Sequence, residues 1–301
     1  MVEPDSDRCS ALSQELGVPG YPDMDTMLTN AELRRTLDGV VICTPPYVRI
    51  TLVEKALEAG LAVLVEKPLA HTVADARMLV RLAEQHPQVP TAVAFCHRFT
   101  PAIREMKRQI EQGEIGQLIR YENVFACWHP TMQNHWMSDP TLSGGGSLVD
   151  TGCHGIDIFH YLIGPSQFDA AIMNHQWAGR GDSNATMLIH HNQPGKESTP
   201  VAGVLCTGWA EPVRFIVTVV GTEALLSYDY EKPEQLQLLK NDGQSKTLRV
   251  ETHETRFQHQ LEAFADLIKN PQAETDLASF EDGLAAVQTL QSAQQQVVGL
   301  K

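Results

Sequence analysis

VLVEKPLAHT, residues 63–72, runs from an apolar strand straight into a charged pair and a proline. The strand end presents Glu66 and Lys67, and Pro68 fixes the turn behind them. The pair is either a solvated strand end or a set of groups reaching into a reaction site. The flanking sequence decides what sheet the strand belongs to. Upstream, GVVICT (39–44) is a second continuous apolar run of strand length, the pattern of a parallel sheet covered on both faces. Between the two, YVRITLVEKALEAG sets Val53, Ala56, Leu57 and Gly60 at helical spacing. Downstream, TVADARMLVRLAEQH opens on a Thr72/Asp75 capping pattern and places Ala76, Leu79, Val80 and Ala83 on one face. PTAVAFCHRF then reads as the next strand. Nearer the start, DRCSALSQELG is a helix stopped by Gly17. This alternation predicts a parallel α/β sheet with right-handed crossovers.

The character changes after Pro101, which starts the helix PAIREMKRQIEQG. Residues 118–128, 201–209, 213–220 and 223–230 read as strands, and no clear helix interrupts the last three, so the second sheet is expected to be mostly antiparallel. One helix, from about Asp150 to Ile163, precedes those three strands, and two more, RFQHQLEAFADLIKN and FEDGLAAVQTLQSAQQQ, close the chain. HHNQPGKESTP (190–200) is a surface loop by composition.

Composition narrows the function classes. The 301 residues are 43% hydrophobic and 20% charged, with a net charge of −14 and a pI near 5.2. That balance argues against nucleic acid or an anionic membrane as partner, since both reward clustered Lys and Arg. The six cysteines form no CxxC pair and read as small buried hydrophobes in a reducing compartment. No apolar run has the length of a membrane span, and the acidic N-terminus is not a secretory signal, so a cytoplasmic location is the default expectation.

Four stretches could carry chemistry. Thr44-Pro45-Pro46-Tyr47 ends a strand, where ligands of open α/β sheets bind. Glu66-Lys67-Pro68 ends another, and an ammonium there can hold a substrate hydroxyl and stabilise a developing alkoxide. GGGSLVDTGCHGIDIFHYLIG (144–164) opens with glycines that allow close backbone approach to a ligand. It then sets Asp150 and His154 four apart, on one face of a helix, with His154 a natural general base. In CHRFTP (96–101), Arg98 either binds an anion or substrate oxygen, or caps the sheet with a salt bridge.

Taken in order, TPP, VLVEKPLA, HRFTPAI, GGGSLVDTGCHGIDIFHYLIG and FEDGLAAVQTLQSA resemble the glucose–fructose oxidoreductase/inositol dehydrogenase (Gfo/Idh/MocA) family over nearly the whole chain. The resemblance implies a Rossmann-type dinucleotide-binding domain, here partial, over residues 1–100. It implies a C-terminal α+β domain with a large open sheet over 101–301, which binds substrate and makes an oligomer contact. The last helix can pack back on the first domain. The implied reaction moves a hydride between NAD or NADP and a hydroxyl-bearing carbon of a sugar, cyclitol or related polyol. By analogy His154 takes the hydroxyl proton, Lys67 polarises or relays it, and Asp150 orients substrate or imidazole. The family's Lys–Pro bond at this motif is commonly cis. Thr44, Pro45, Pro46, Arg49, Glu66, Lys67 and Arg98 are the expected cofactor contacts.

The chain departs from the family pattern at its start. Family members begin with a strand and a GxGxxG turn that cradles the pyrophosphate. This chain opens at VEPDSDR, which resembles the end of the second strand, so that Glu3 would be the acidic residue reading the ribose. The strand near 18–21 is then expected to lack neighbours, and the strand at 39–44 to show a bare apolar edge. Two readings follow: a late start on an ordinary dehydrogenase, or a truncated, non-catalytic family member acting as a ligand-binding or dimerisation module. After the two prolines, Arg49 stands where the family often has histidine or asparagine. A metal site built from Asp150, His154, Asp157 and His160 is not expected, because His160 leaves their face and no further His/Cys cluster completes a shell. Trp128 and Trp136, with His129, Gln133 and His135, suit sugar faces and hydroxyls, and equally suit a loop packed on its own sheet.

Overall fold

A computed structural model describes residues 1–177, 180–192 and 200–296. Most of the loop expected at 190–200 lies outside these residues, and His190 and His191 end a strand. The first sheet has three parallel strands in the order β1 (Gly39–Ile42), β2 (Ala62–Glu66) and β3 (Thr91–Ala94). Both of its faces are covered, which is why its strands read as unbroken apolar runs. Val63 and Val65 point into the main core, while Ala62 and Leu64 pack with Ala92, Ala94, Phe264 and Leu277 on the other side. Helices Arg49–Glu58 and Val73–Gln85 make the crossovers, the latter capped at Thr72 by the Asp75 N–H. The helix Arg256–Lys269, which carries Phe264, packs against the turn after β3, and Phe280–Gln295 packs against Val73–Gln85.

The early segment matches its expectation. Val2 and Tyr21 make a single isolated parallel bridge and no strand. Among the described residues nothing pairs with the free edge of β1, where Val41 is exposed.

The second sheet has eight strands: β4 (Leu118–Trp128), β5 (Gln167–Asn174), β6 (Asn184–His191), β7 (Val201–Gly208), β8 (Ala210–Gly221), β9 (Ala224–Asp229), β10 (Gln235–Lys240) and β11 (Ser245–Arg249). Their order is β11-β10-β9-β8-β4-β7-β6-β5, antiparallel except for β4 beside β7. Register builds a continuous inner row of Met187, Leu205, Asn123, Val217, Tyr228 and Leu236, all buried. Strands β5, β6, β10 and β11 were not foreseen. β5 and β11 turn most of their residues to solvent, so they lack the apolar density that marks a strand.

The helix Cys153–Leu162 lies on that inner row. A side chain at Gly155 would collide with the Asn123 amide, and the Tyr121 hydroxyl donates to the Gly155 carbonyl at 3.0 Å. Close seating therefore requires glycine at this point. The expected single helix from Asp150 is in fact two pieces, because Leu148–Gly152 forms a π-helical turn before the α-helix begins. Such turns concentrate at functional sites.

Candidate active site

The carboxyl end of β2 and the π turn meet at one ion pair. Lys67 Nζ donates to Asp150 Oδ1 at 2.7 Å and to the Asp150 carbonyl at 2.9 Å. Both side chains are largely buried. Burial opposes the ammonium charge, but the Asp150 carboxylate outweighs it and raises Lys67 above its ordinary value. The Lys67–Pro68 bond is cis, as the resemblance implied. The second carboxylate oxygen of Asp150 accepts from Trp209 Nε1 at 3.2 Å. Trp209 is buried and stacks on Trp177, with ring centroids 6.4 Å apart. Nothing in TGWAEP marks Trp209 as a site residue, because its role depends on β8 following β7 across the sheet.

His154 follows one turn later. Burial first, then the charges of Lys67, His97 and Arg256, hold its imidazole well below the usual histidine range. It is therefore neutral at neutral pH. Its ring packs edge-on between Phe95 and His97, at 6.2 and 4.6 Å between centroids. Lys67 thus contacts Asp150 directly and lies near enough to His154 to act on its charge.

The glycines at 144–146 have a different role from the expected one. A side chain at Gly146 would collide with the Asp182 backbone, and one at Gly144, whose φ is 87°, would meet the His71 carbonyl. The close approach seen here is to the protein's own chain. Asp182 makes the approach worthwhile: its buried carboxylate accepts from Gly146 N–H at 3.1 Å, Leu148 N–H at 2.8 Å and the Ser147 hydroxyl at 2.7 Å. These bonds fix the turn that presents Asp150.

Three expected cofactor contacts, Arg49, Arg98 and Glu3, are engaged within the protein. Arg49 is buried and spends its donors on backbone carbonyls at both strand ends, Thr44 at 2.7 and 3.0 Å, and Glu66 and Pro68. It ties β1 to β2 through four of its five N–H donors. Arg98 realises the salt-bridge alternative: it forks onto Asp157 at 2.7–3.0 Å and reaches Asp282 at 3.3 Å. Both oxygens of Glu3 are engaged, one by the Asp5 N–H and one by Arg8 at 3.1 Å. Glu66 accepts from the Lys67 N–H, and Thr44 Oγ1 is buried at the end of β1 without a partner among the described residues. Pro45 and Pro46 follow it into a short 3-10 turn.

Trp128 projects into solvent at the end of β4, and Trp136 packs beside His135 at 5.7 Å between ring centroids. No hydrogen bond among the described residues links either to Lys67 or His154. The four residues of the rejected metal set do part company: Asp150 goes to Lys67, Asp157 to Arg98 and His160 to the Ser166 hydroxyl at 2.7 Å. The expectation that no other His/Cys cluster exists is overturned, since donor atoms of Cys96, His97 and His154 all lie within 4.8 Å of one another. The turn after β3 brings Cys96 and His97 to the helix, a meeting no local spacing records. Two open clefts of about 340 and 380 Å³ lie elsewhere, on the β8–β10 edge and beside Pro271.

With this geometry in hand, comparison with known proteins identifies the lineage. D-apiose dehydrogenase of Paraburkholderia graminis is 30% identical over 258 residues, covering 81% of this chain and 63% of that enzyme. Levoglucosan dehydrogenase of Pseudarthrobacter phenanthrenivorans is 26% identical over 223 residues, covering 66% of this chain and 57% of that enzyme. The chain therefore spans less than two thirds of the length of either curated relative. A solved structure of levoglucosan dehydrogenase in complex with NADH and levoglucosan superposes with a TM-score of 0.83 at 20% identity, covering 98% of this chain and 86% of that one. No described helix is long and apolar enough to cross a membrane. The family profile for the oxidoreductase family with an NAD-binding Rossmann fold matches residues 1–95, and the profile for the GFO/IDH/MocA C-terminal domain matches residues 103–227; the chain belongs to the Gfo/Idh/MocA oxidoreductase family.

Proposed function

We propose that this chain carries the catalytic centre of an NAD(P)-dependent dehydrogenase acting on a hydroxyl-bearing carbon of a sugar, cyclitol or related polyol. The observation that carries the reading is the buried Lys67 ammonium held by Asp150 beside the neutral imidazole of His154. Lys67 has one of its three donors to spare for a substrate hydroxyl. His154, uncharged, accepts the hydroxyl proton, and Lys67 stabilises the alkoxide as it forms. Asp150 keeps the ammonium charged and aimed, and Trp209 keeps Asp150 from rotating. Positioned acid–base groups of this kind are worth about 10²–10⁴-fold in rate. When bound, a nicotinamide cofactor supplies the hydride acceptor or donor. Thr44, Pro45, Pro46 and Glu66, at the carboxyl ends of β1 and β2, would hold it, and the unpartnered Thr44 hydroxyl fits a polar group approaching there.

The names of the relatives support the substrate class, since levoglucosan and D-apiose are carbohydrates. We place Trp128 and Trp136 at the substrate's outer edge. A second copy of the chain is proposed to seat on the open face of the eight-stranded sheet, where Ile172 and Leu188 are exposed on the same face. The free cysteines fit a reducing, cytoplasmic setting.

The test is titration of the chain with NADH and NADPH, followed by a panel of sugars, cyclitols and amino acids. Micromolar cofactor binding with turnover that Lys67→Met abolishes supports the reading. Ligand binding without cofactor binding or turnover favours the non-catalytic module instead.

A further inference from the structure

We propose that Arg256 is an anion-binding residue of the substrate pocket, and that the substrate is an acid sugar whose carboxylate seats on this guanidinium while its reacting hydroxyl meets Lys67 and His154. The location comes from a chain of contacts. Donor atoms of Cys96, His97 and His154 lie within 4.8 Å of one another. Arg256 bonds to the Cys96 thiol, so the guanidinium stands one contact beyond that cluster. The Tyr230 hydroxyl is 2.7 Å from His97 Nδ1, and the Tyr230 ring lies against His253 at 5.1 Å between centroids. His97, His253 and Arg256 are each partly exposed, so a ligand can reach all three.

The positive charge here is only half answered. Asp150 neutralises Lys67 at 2.7 Å. Arg256 has no such counter-ion: among the described residues no carboxylate comes within ion-pair distance of it. Its Nη1 donates to the His253 carbonyl at 2.9 Å, and its Nε is buried with no hydrogen-bond partner among the described residues. Arg256 also opens the helix Arg256–Lys269, whose first turn holds no acidic residue. There the positive end of the helix dipole opposes a cation and favours an anion. The charges that act on His97, those of Arg256, Lys67 and His253, all push it the same way. A neutral polyol leaves this field as it stands. A carboxylate cancels it and matches the planar fork of a guanidinium with its two oxygens.

Acid recognition deepens the dehydrogenase function proposed above and rests on it for the chemistry at the hydroxyl. Binding of the acid needs neither cofactor nor turnover, so it is tested by itself.

The experiment is isothermal titration calorimetry on the purified chain. D-glucuronate and D-galacturonate are compared with D-glucose and D-galactose, D-gluconate with D-glucitol, and D-glucose 6-phosphate is run beside them. An acid probe is expected to bind about 10–100-fold more tightly than its neutral counterpart. Added salt should narrow that gap. Arg256→Met and Arg256→Gln are expected to abolish it with circular dichroism unaltered, and Arg256→Lys, which keeps the charge and loses the fork, to keep part of it. Equal affinity for acid and neutral probes in the parent overturns the inference, as does the absence of binding by every acid. An acid preference that survives Arg256→Met or Arg256→Gln overturns it too, and tighter binding of D-glucose 6-phosphate than of every acid overturns the carboxylate assignment. Arg256-dependent acid binding by a chain that neither binds dinucleotide nor turns over sugar leaves the anion site standing and refutes the dehydrogenase assignment alone. Turnover of neutral sugars without any acid preference does the reverse.

Discussion

Replacing Arg98 with methionine removes the cation that answers Asp157 in the interior. Asp157 is 1% exposed and Arg98 8%, and their bidentate contact joins the turn after β3 to the helix Cys153–Leu162. Stranding one member of a buried pair costs about 3–5 kcal/mol. The outer contact to Asp282 adds little, because that carboxylate is 40% exposed and screened. The loss is a large part of a typical domain's stability of about 5–15 kcal/mol. The pH dependence has a definite sign. Burial raises Asp157 from 3.8 to about 6, while Arg98 pulls it back down. A carboxylate whose folded value is raised binds its proton more tightly folded than unfolded. Its contribution is therefore greatest at low pH, declines as pH climbs from 3.8 to about 6, and is flat above. Without Arg98 the folded value climbs further and the decline extends towards neutrality. The deficit of Arg98→Met, measured by urea denaturation, should thus be smaller near pH 5 than near pH 7. Arg98→Met/Asp157→Leu should recover about 2 kcal/mol or more, since an apolar pair leaves no stranded charge. A deficit under about 1 kcal/mol, or one equal at both pH values with no recovery in the double variant, refutes the reasoning.

Three further outcomes follow from the site and its floor. Lys67→Met should lower kcat/KM by about 10²–10⁴-fold with cofactor affinity little changed, in steady-state assays paired with dinucleotide titration. Trp209→Phe frees one Asp150 oxygen and should cost about tenfold in kcat, with circular dichroism unaltered. Gly155→Ala drives a methyl into the Asn123 amide and Leu205, and should cost about 1–3 kcal/mol in urea melts.

The parallel sheet was legible because β2 buries both faces and the helix that follows it opens on the Thr72 cap. Lys67, Asp150 and His154 could be singled out as candidates because each sits in a local motif at a strand end or helix start. What the sequence concealed depends on distant segments meeting. Arg98 finds Asp157 59 residues away and Asp282 184 away, so its ion-pairing alternative could not be preferred from CHRFTP alone. Gly146 needs Asp182, which nothing near the glycines announces. Cys96 and His97 look like the tail of a strand until the helix Cys153–Leu162 is laid beside them. The open-sheet strands escaped because strands half turned to water carry few apolar residues.

Lys67 and Asp150 are 83 residues apart and are delivered by the carboxyl end of β2 and by the π turn Leu148–Gly152. Neither element alone holds the pair: one offers a lysine with no counter-ion, the other a carboxylate with no cation. During synthesis, the ion pair therefore cannot close until both layers have formed and docked. The pair forms as a late, single event that reports complete assembly.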